Sequence, residues 1–140
     1  NDYIRFPSKW YKLNENIQRI KELVPNTQIE ISVTWQMLNA FTFLKLLDHF
    51  KQYHINIRIL SHPVHMDVKH LPRQAKLDII DMYTSSVHKD KLSHLISYLK
   101  NTLDYEDNCY LCIDFLEKLD EIRGTDWKKT FIELHKSINT

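Results

Sequence analysis

Two segments within the first 60 residues alternate apolar and polar side chains, and this pattern limits the folds open to the chain more than any other feature. Residues 29–36 (IEISVTWQ) and 55–59 (INIRI) repeat with a period of two, which predicts two β-strands. The residues from Asn39 to about Tyr53 between them have helical spacing, as do those from about Ser8 to Leu23 before them. A strand, a helix and a second strand in this order predict parallel strands joined by a crossover connection.

No further strand is predicted in the rest of the chain. A loop is expected from Ser61 to Leu71. Helices are predicted over about 72–85, 90–102 and 107–123, and a shorter one from about Asp126 onward. Gly124 is expected to end the helix before it. We therefore expect an α/β chain in two parts within one compact domain: residues 1–60 with helix-strand-helix-strand order, and residues 61–140 with a loop and a helical C-terminal region.

The two predicted strands are apolar on one face only. Strands buried between helices on both faces are usually apolar throughout, so helices cover one side of this sheet at most. The polar side either meets water, or it lines the polar interior of a curved or barrel-shaped sheet. Two parallel strands are also too few for a stable sheet, so a second copy or a further part of the protein is expected to cover the strand edge.

The helix predicted at residues 8–23 has an amphipathic pattern. Its apolar residues recur at steps of three and four. They are Trp10, Leu13, Ile17 and Ile20, and we expect them to pack in the core.

Composition excludes several classes of partner and site. The chain has 19 Lys and Arg against 18 Asp and Glu, which gives no electrostatic footprint for nucleic acid. No apolar run approaches the length of a membrane span and no signal peptide is recognisable, so we expect a cytoplasmic protein without a membrane partner. The single glycine, Gly124, rules out a glycine-rich phosphate loop.

Cys109 and Cys112 form a CxxC pattern on a predicted helix. Both thiols would face the same side, and two thiolates are half of a zinc or iron–sulfur site. No strand precedes this pattern, however, and Cys112 shares the apolar stripe of its helix. Two interpretations stay open: buried core cysteines, or a redox or metal site.

Three histidines and one aspartate crowd the predicted loop. They are His62, His65, His70 and Asp67, a combination that can bind zinc or iron. An irregular loop does not orient these side chains in advance. The alternatives are therefore a metal site, or solvated residues in a loop or lid.

Four segments together resemble the C-terminal half of the twitch-domain-containing radical SAM proteins. These segments are Tyr3–Trp10 (YIRFPSKW), Glu15–Ile17 (ENI), Ile31–Thr34 (ISVT) with the following Leu38–Asn39, and Leu119–Trp127 (LDEIRGTDW). They come from both ends and the middle of the chain. The resemblance implies a partial (β/α)₆ barrel in which a [4Fe-4S] cluster binds S-adenosylmethionine and cleaves it to a radical.

The resemblance also implies positions for individual residues. The two strands correspond to the fifth and sixth strands of such a barrel, so their polar faces would line its interior. Ser32 and Thr34 would point toward the ribose of the cofactor, and Arg5 and Asn39 would lie near the barrel mouth. Arg58 would face the substrate, a small molecule or a peptide.

The cluster motif CxxxCxxC is absent from this chain. We therefore expect a fragment of a radical SAM enzyme, with S-adenosylmethionine and [4Fe-4S] belonging to the intact parent, and with no catalysis, metal or cofactor in this chain alone. The alternative is a stand-alone α/β interaction or binding domain. In either case an exposed strand edge favours a homo-oligomer.

Overall fold

The computed structural model describes residues 2–5 and 7–139. Within them the chain forms seven α-helices and a sheet of two parallel strands. The strands are β1 (Glu30–Trp35) and β2 (His54–Ile59). The helices are α1 (Trp10–Leu23), α2 (Phe43–His49), α3 (Arg73–Thr84), α4 (Ser93–Asn101), α5 (Cys109–Arg123), α6 (Trp127–Thr130) and α7 (Ile132–Ile138). The α/β class is confirmed, whereas a partial radical SAM barrel remains a proposal.

The elements predicted from periodicity are present, with ends that differ by a few residues. The helix predicted from Asn39 begins as a 3-10 turn at Ala40–Thr42 and continues as α2. The terminal helix predicted from Asp126 is divided, because Phe131 leaves helical geometry with φ −115° and ψ 58° and so separates α6 from α7. Gly124 ends α5 in the left-handed conformation with φ 63°, as predicted.

The chain divides into two compact units, residues 1–30 and residues 31–140. The first unit holds α1, and the second holds α2 to α7 together with β2 and nearly all of β1. The division expected between residues 1–60 and residues 61–140 stays a prediction.

Helix α1 is amphipathic, yet none of its side chains is buried. Leu13 is 45% exposed and Ile20 is 44% exposed, while Trp10 and Ile17 are half-buried. The prediction that these four residues form core is therefore wrong. A helical period shows that one face is apolar, but it does not show whether another element covers that face.

A buried hydrogen-bond chain joins the end of β1 to α3. The indole Nε1 of Trp35 donates to the hydroxyl of Tyr83 at 2.9 Å, and this hydroxyl donates to the carbonyl oxygen of Ala40 at 2.6 Å. All three residues are fully buried. These two hydrogen bonds satisfy two polar side chains inside the core. They also fix the strand, the turn after it and the helix relative to one another.

Apolar side chains from several elements form the core of the second unit. Fully buried members of the second unit include Phe43, Leu47, Ile79, Leu95, Leu99 and Leu116. Helices α3 and α4 pack against each other, and α5 contacts the loop that follows β2. The strands contribute Trp35 and Ile55 to the buried residues of this unit.

No helix in residues 2–5 and 7–139 is both long enough and apolar enough to cross a membrane. The longest of them, α5, has 15 residues. A membrane span needs about 20 mainly apolar residues.

We predict that Tyr83→Phe destabilises the protein by about 1–3 kcal/mol, because the Trp35 indole then has no acceptor and the Ala40 carbonyl loses its donor. Urea unfolding followed by tryptophan fluorescence measures the change. Tyr110, which is 60% exposed, provides the control, since Tyr110→Phe is expected to change stability by less than about 0.5 kcal/mol. Equal losses in the two variants would contradict this role for the Tyr83 hydroxyl.

Candidate functional site

One face of the sheet carries polar side chains. Ser32 and Thr34 of β1 and Arg58 of β2 are exposed, and Asn56 of β2 is half-buried. On the opposite face Trp35 is fully buried. The alternation predicted from the sequence is thus present, and within the described chain the polar face is open to solvent.

The register of the two strands places these polar residues side by side. The N–H group of Leu60, just after β2, donates to the carbonyl oxygen of Trp35 at 3.0 Å. In a parallel ladder such an N–H group donates to the residue that precedes its lateral neighbour. Lateral neighbours lie about 4.8 Å apart, and residues two apart along one strand lie about 6.6 Å apart. Within the second unit the polar face therefore holds the lateral pairs Thr34 with Arg58 and Ser32 with Asn56. Glu30 and His54, at the amino ends of their strands, continue the same alternation.

Three of the five residues predicted to bind a cofactor share this face: Ser32, Thr34 and Arg58. Arg5 is exposed and belongs to the first unit. Asn39 lies in the turn that follows β1. Their proposed roles in binding stay predictions.

The side chain of Asn39 has a structural role in this turn. Its Oδ1 accepts a hydrogen bond from the N–H group of Gln36 at 2.9 Å, and its Nδ2 donates to the carbonyl oxygen of Thr34 at 2.8 Å. In the register above, that carbonyl points away from β2, toward the outer edge of β1. Asn39 therefore stabilises the turn and covers one of the backbone groups that the edge of β1 would otherwise expose.

The loops that follow the two strands are joined to each other. The N–H group of Met37 donates to the carbonyl oxygen of Met66 at 2.9 Å. The second loop contains two 3-10 turns, Val64–Met66 and Val68–His70, with Asp67 between them. These turns direct Asp67 and His70 into the protein.

Asp67 is fully buried and is the centre of a polar cluster. Its Oδ1 accepts from the Tyr98 hydroxyl at 2.7 Å and from the Lys69 backbone at 3.0 Å. Its Oδ2 has no hydrogen-bond partner among the described residues and lies 3.4 Å from the Lys69 ammonium. Burial, and then the hydrogen bond to Asp67, raise the pKa of Tyr98 well above its usual value. The cluster thus holds a protonated phenol against a buried carboxyl group.

The histidines of this loop do not share one environment. His62 is exposed, His65 is half-buried with its ring 4.5 Å from that of Phe115, and His70 is 9% exposed. The expectation of solvated loop residues is wrong for Asp67 and His70, because the two 3-10 turns bury them. In the part of the chain that the structure describes, no three His, Cys, Asp or Glu side chains are arranged to hold a metal ion.

Cys109 and Cys112 open α5 and are free thiols. Burial raises the pKa of each thiol to about 12, and the hydrogen bond and charge of Asp107 contribute to the rise at Cys109. The thiolate is the form that attacks disulfides and binds metals, and the raised pKa values favour the thiol form of both groups at neutral pH. The prediction of a core cysteine is confirmed for Cys112, which is 2% exposed, whereas Cys109 is half-buried.

Lys76 on α3 is fully buried, and sequence reasoning did not identify it. Its ammonium donates to the carbonyl oxygen of Thr102 at 2.7 Å. Burial lowers its pKa, and the nearby carboxylates of Asp107, Asp104 and Asp67 oppose that change in this order of size. The sequence did contain a signal of this burial. Ile79 and Tyr83 lie three and seven residues after Lys76, on the same face of the helix, and this face is apolar.

No family model matches this chain, and no curated protein or solved structure matches it. Function is therefore inferred from the residues and contacts described above.

We predict that burial of the Lys76 charge makes stability depend on pH. Because its pKa is lower in the folded chain than the value of 10.5 in the unfolded chain, the unfolded chain binds more protons between the two values, and stability rises with pH in that window. Below the window the penalty for burying the charge is fully present.

The comparison of Lys76→Met with the unaltered chain isolates this effect, because the cysteine and tyrosine titrations are common to both proteins. Urea unfolding from pH 7.5 to 10 is expected to show the unaltered chain gaining stability relative to the variant as pH rises. A constant difference across this range would rule out titration of Lys76 as the cause.

Proposed function

We propose that this chain is the C-terminal part of a radical SAM protein and contributes the polar surface of two barrel strands. The observation that supports this most is the pair of parallel strands with one apolar face, which includes the buried Trp35 and Ile55, and one polar face on which Ser32, Thr34 and Arg58 are exposed. In a closed barrel the inner face of such a strand pair lines a cavity for ligands.

One of the other segments that carry the resemblance, Leu119–Trp127, has a structural explanation in this chain. The LDEIRGTDW segment ends α5 and begins α6. The Asp120 carboxylate accepts from the Thr125 hydroxyl at 2.6 Å and from the Trp127 N–H group at 2.7 Å, and Asp126 caps α6. The side chains of this segment therefore have a structural role at the junction of α5 and α6, and they identify no reactive group.

The cysteines of this chain do not fit an iron–sulfur cluster of the kind the family uses. That cluster needs three thiolate ligands in one CxxxCxxC loop, whereas the chain has two cysteines, Cys109 and Cys112, both with raised pKa values. Generation of a radical therefore belongs to another part of the proposed parent. The role left to this chain is to bind and orient a ligand on the polar face of its sheet.

The reading frame upstream of the codon for Asn1 tests the proposal. We predict an in-frame CxxxCxxC roughly 90–120 codons earlier, the length of about three βα units of some 30 residues each. Anaerobic reconstitution of the protein encoded by that longer frame is expected to give the absorbance of a [4Fe-4S] cluster. A stop codon followed by a start codon directly before Asn1 would overturn the proposal and favour a stand-alone binding domain.

The open edges of the sheet give a further prediction. Each strand has one neighbour in the described residues, and Asn39 covers part of the edge of β1, so the edge of β2 is the more open. In the register above the N–H group of Ile57 points toward this edge. We expect two copies of the isolated chain to pair there, because unpaired strand edges favour self-association.

Comparison of Ile57→Pro with Ile57→Ala distinguishes the effect of the outward N–H group from that of the side chain. Both variants lose the isoleucine side chain, but only the proline variant loses the N–H group. Light scattering at increasing concentration is expected to show dimers for the unaltered chain and for Ile57→Ala, and monomers for Ile57→Pro. A monomeric unaltered chain at high concentration, or a dimeric Ile57→Pro variant, would contradict pairing at this edge.

A further inference from the structure

Four neighbouring polar side chains on the sheet have no hydrogen-bond or ion-pair partner among the described residues: Ser32, Thr34, Asn56 and Arg58. The register places them in a two-by-two arrangement with lateral spacings of about 4.8 Å. Together they offer two hydroxyl groups, one amide and one guanidinium. This is a continuous set of hydrogen-bond donors on an otherwise regular sheet.

Arg58 is the charged member of this group, and it forms no ion pair with a carboxylate among the described residues. Several other cations of the second unit are paired, among them Lys69 with Asp67, Arg73 with Asp104 and Lys118 with Asp114, whereas exposed lysines such as Lys45 and Lys91 have, like Arg58, no ion pair among the described residues. The lateral neighbour of Arg58 is the hydroxyl of Thr34, which can donate a hydrogen bond but carries no charge. The pair therefore favours a ligand with negative charge.

The position of the pair in the fold agrees with ligand binding. Thr34 and Arg58 are each the second-last residue of their strand, at the carboxyl ends of β1 and β2. In α/β folds, ligands bind beyond the carboxyl ends of parallel strands. The turn braced by Asn39 and the loop that contains Asp67 follow at the same end of the sheet, so the backbone around the pair is held in place by hydrogen bonds.

We infer that Arg58 and Thr34 bind an oxyanion, the phosphate or carboxylate group of a small molecule. The planar guanidinium presents two parallel N–H donors to two oxygens of such a group, a geometry that lysine does not offer. The Thr34 hydroxyl donates to an oxygen of the same group, and the second pair, Ser32 with Asn56, contacts the adjoining part of the ligand. That the ligand is the substrate of a radical reaction rests on the proposed function, whereas the binding of an oxyanion does not.

Titration of the ¹⁵N-labelled chain with inorganic phosphate at constant ionic strength tests the inference. Chemical shift changes are expected in the amide signals of residues 32–34 and 56–58. Arg58→Gln is expected to weaken phosphate binding by about tenfold, the loss of one charge-assisted contact, and Thr34→Val by a smaller factor. Both residues are exposed, so the amide spectra themselves report whether each variant keeps its fold.

Arg19→Gln is the matched control. Arg19 is an exposed arginine on α1 without an ion-pair partner among the described residues, and no strand neighbour places a hydroxyl beside it. Its loss is expected to leave phosphate binding unchanged. Two results would overturn the inference: equal weakening of phosphate binding in the Arg19 and Arg58 variants, or shift changes near all cationic residues. Either would show that the polar face is solvated and binds no specific anion.

A parallel titration with acetate separates the two kinds of ligand. Binding of phosphate that is much stronger than that of acetate assigns the site to a phosphoryl group, and comparable binding assigns it to a carboxylate. The upstream reading frame is independent of both titrations. A frame without CxxxCxxC together with phosphate binding lost in Arg58→Gln would reject the proposed function and retain the oxyanion site.

Discussion

The hydrogen-bond chain from the Trp35 indole through the Tyr83 hydroxyl to the Ala40 carbonyl is the contact on which the second unit depends. It joins the end of β1 to a helix 48 residues later and to the turn that leads into α2. Because the fold buries these polar groups, each needs its partner. The same contact fixes which face of β1 is buried, and a strand has only two faces. The positions of Ser32 and Thr34 on the polar face follow from it.

Local periodicity was sufficient to predict the two strands and the longer helices. Each of these elements has a strong repeat, and the stop at Gly124 follows from the freedom of glycine to adopt positive φ. Where the prediction was wrong, tertiary contacts decided the outcome. None of the apolar side chains of α1 is buried, and a lysine at a core position of α3 is buried because its ammonium donates a hydrogen bond to a carbonyl group on another segment.

The residues of the candidate site also fall into those that local periodicity predicts and those whose positions depend on tertiary structure. Ser32 and Thr34 on β1 and Arg58 on β2 could be assigned to the polar faces of their strands from the sequence, because alternation is a local property. The sequence did not show that the side chain of Asn39 forms hydrogen bonds within its own turn, because these bonds depend on the path of the backbone after β1. Nor did it show the burial of Asp67 and His70, which results from two short 3-10 turns without a recognisable pattern. The positions of side chains in irregular loops, where functional residues often lie, cannot be predicted from periodicity.

Two polar groups at the carboxyl ends of the strands have different physical characters, and this difference suggests a division of roles. The cluster around Asp67 is buried and hydrogen-bonded, so it stabilises the loop and is closed to a ligand. The pair of Thr34 and Arg58 is exposed and unpartnered, so it is free to bind one. A carboxylate near Arg58 would have neutralised the guanidinium at little expense in stability, because surface ion pairs contribute at most about 1 kcal/mol. The unpaired charge lies on a strand that a buried core holds in place, so an anion bound there would meet a preorganised donor.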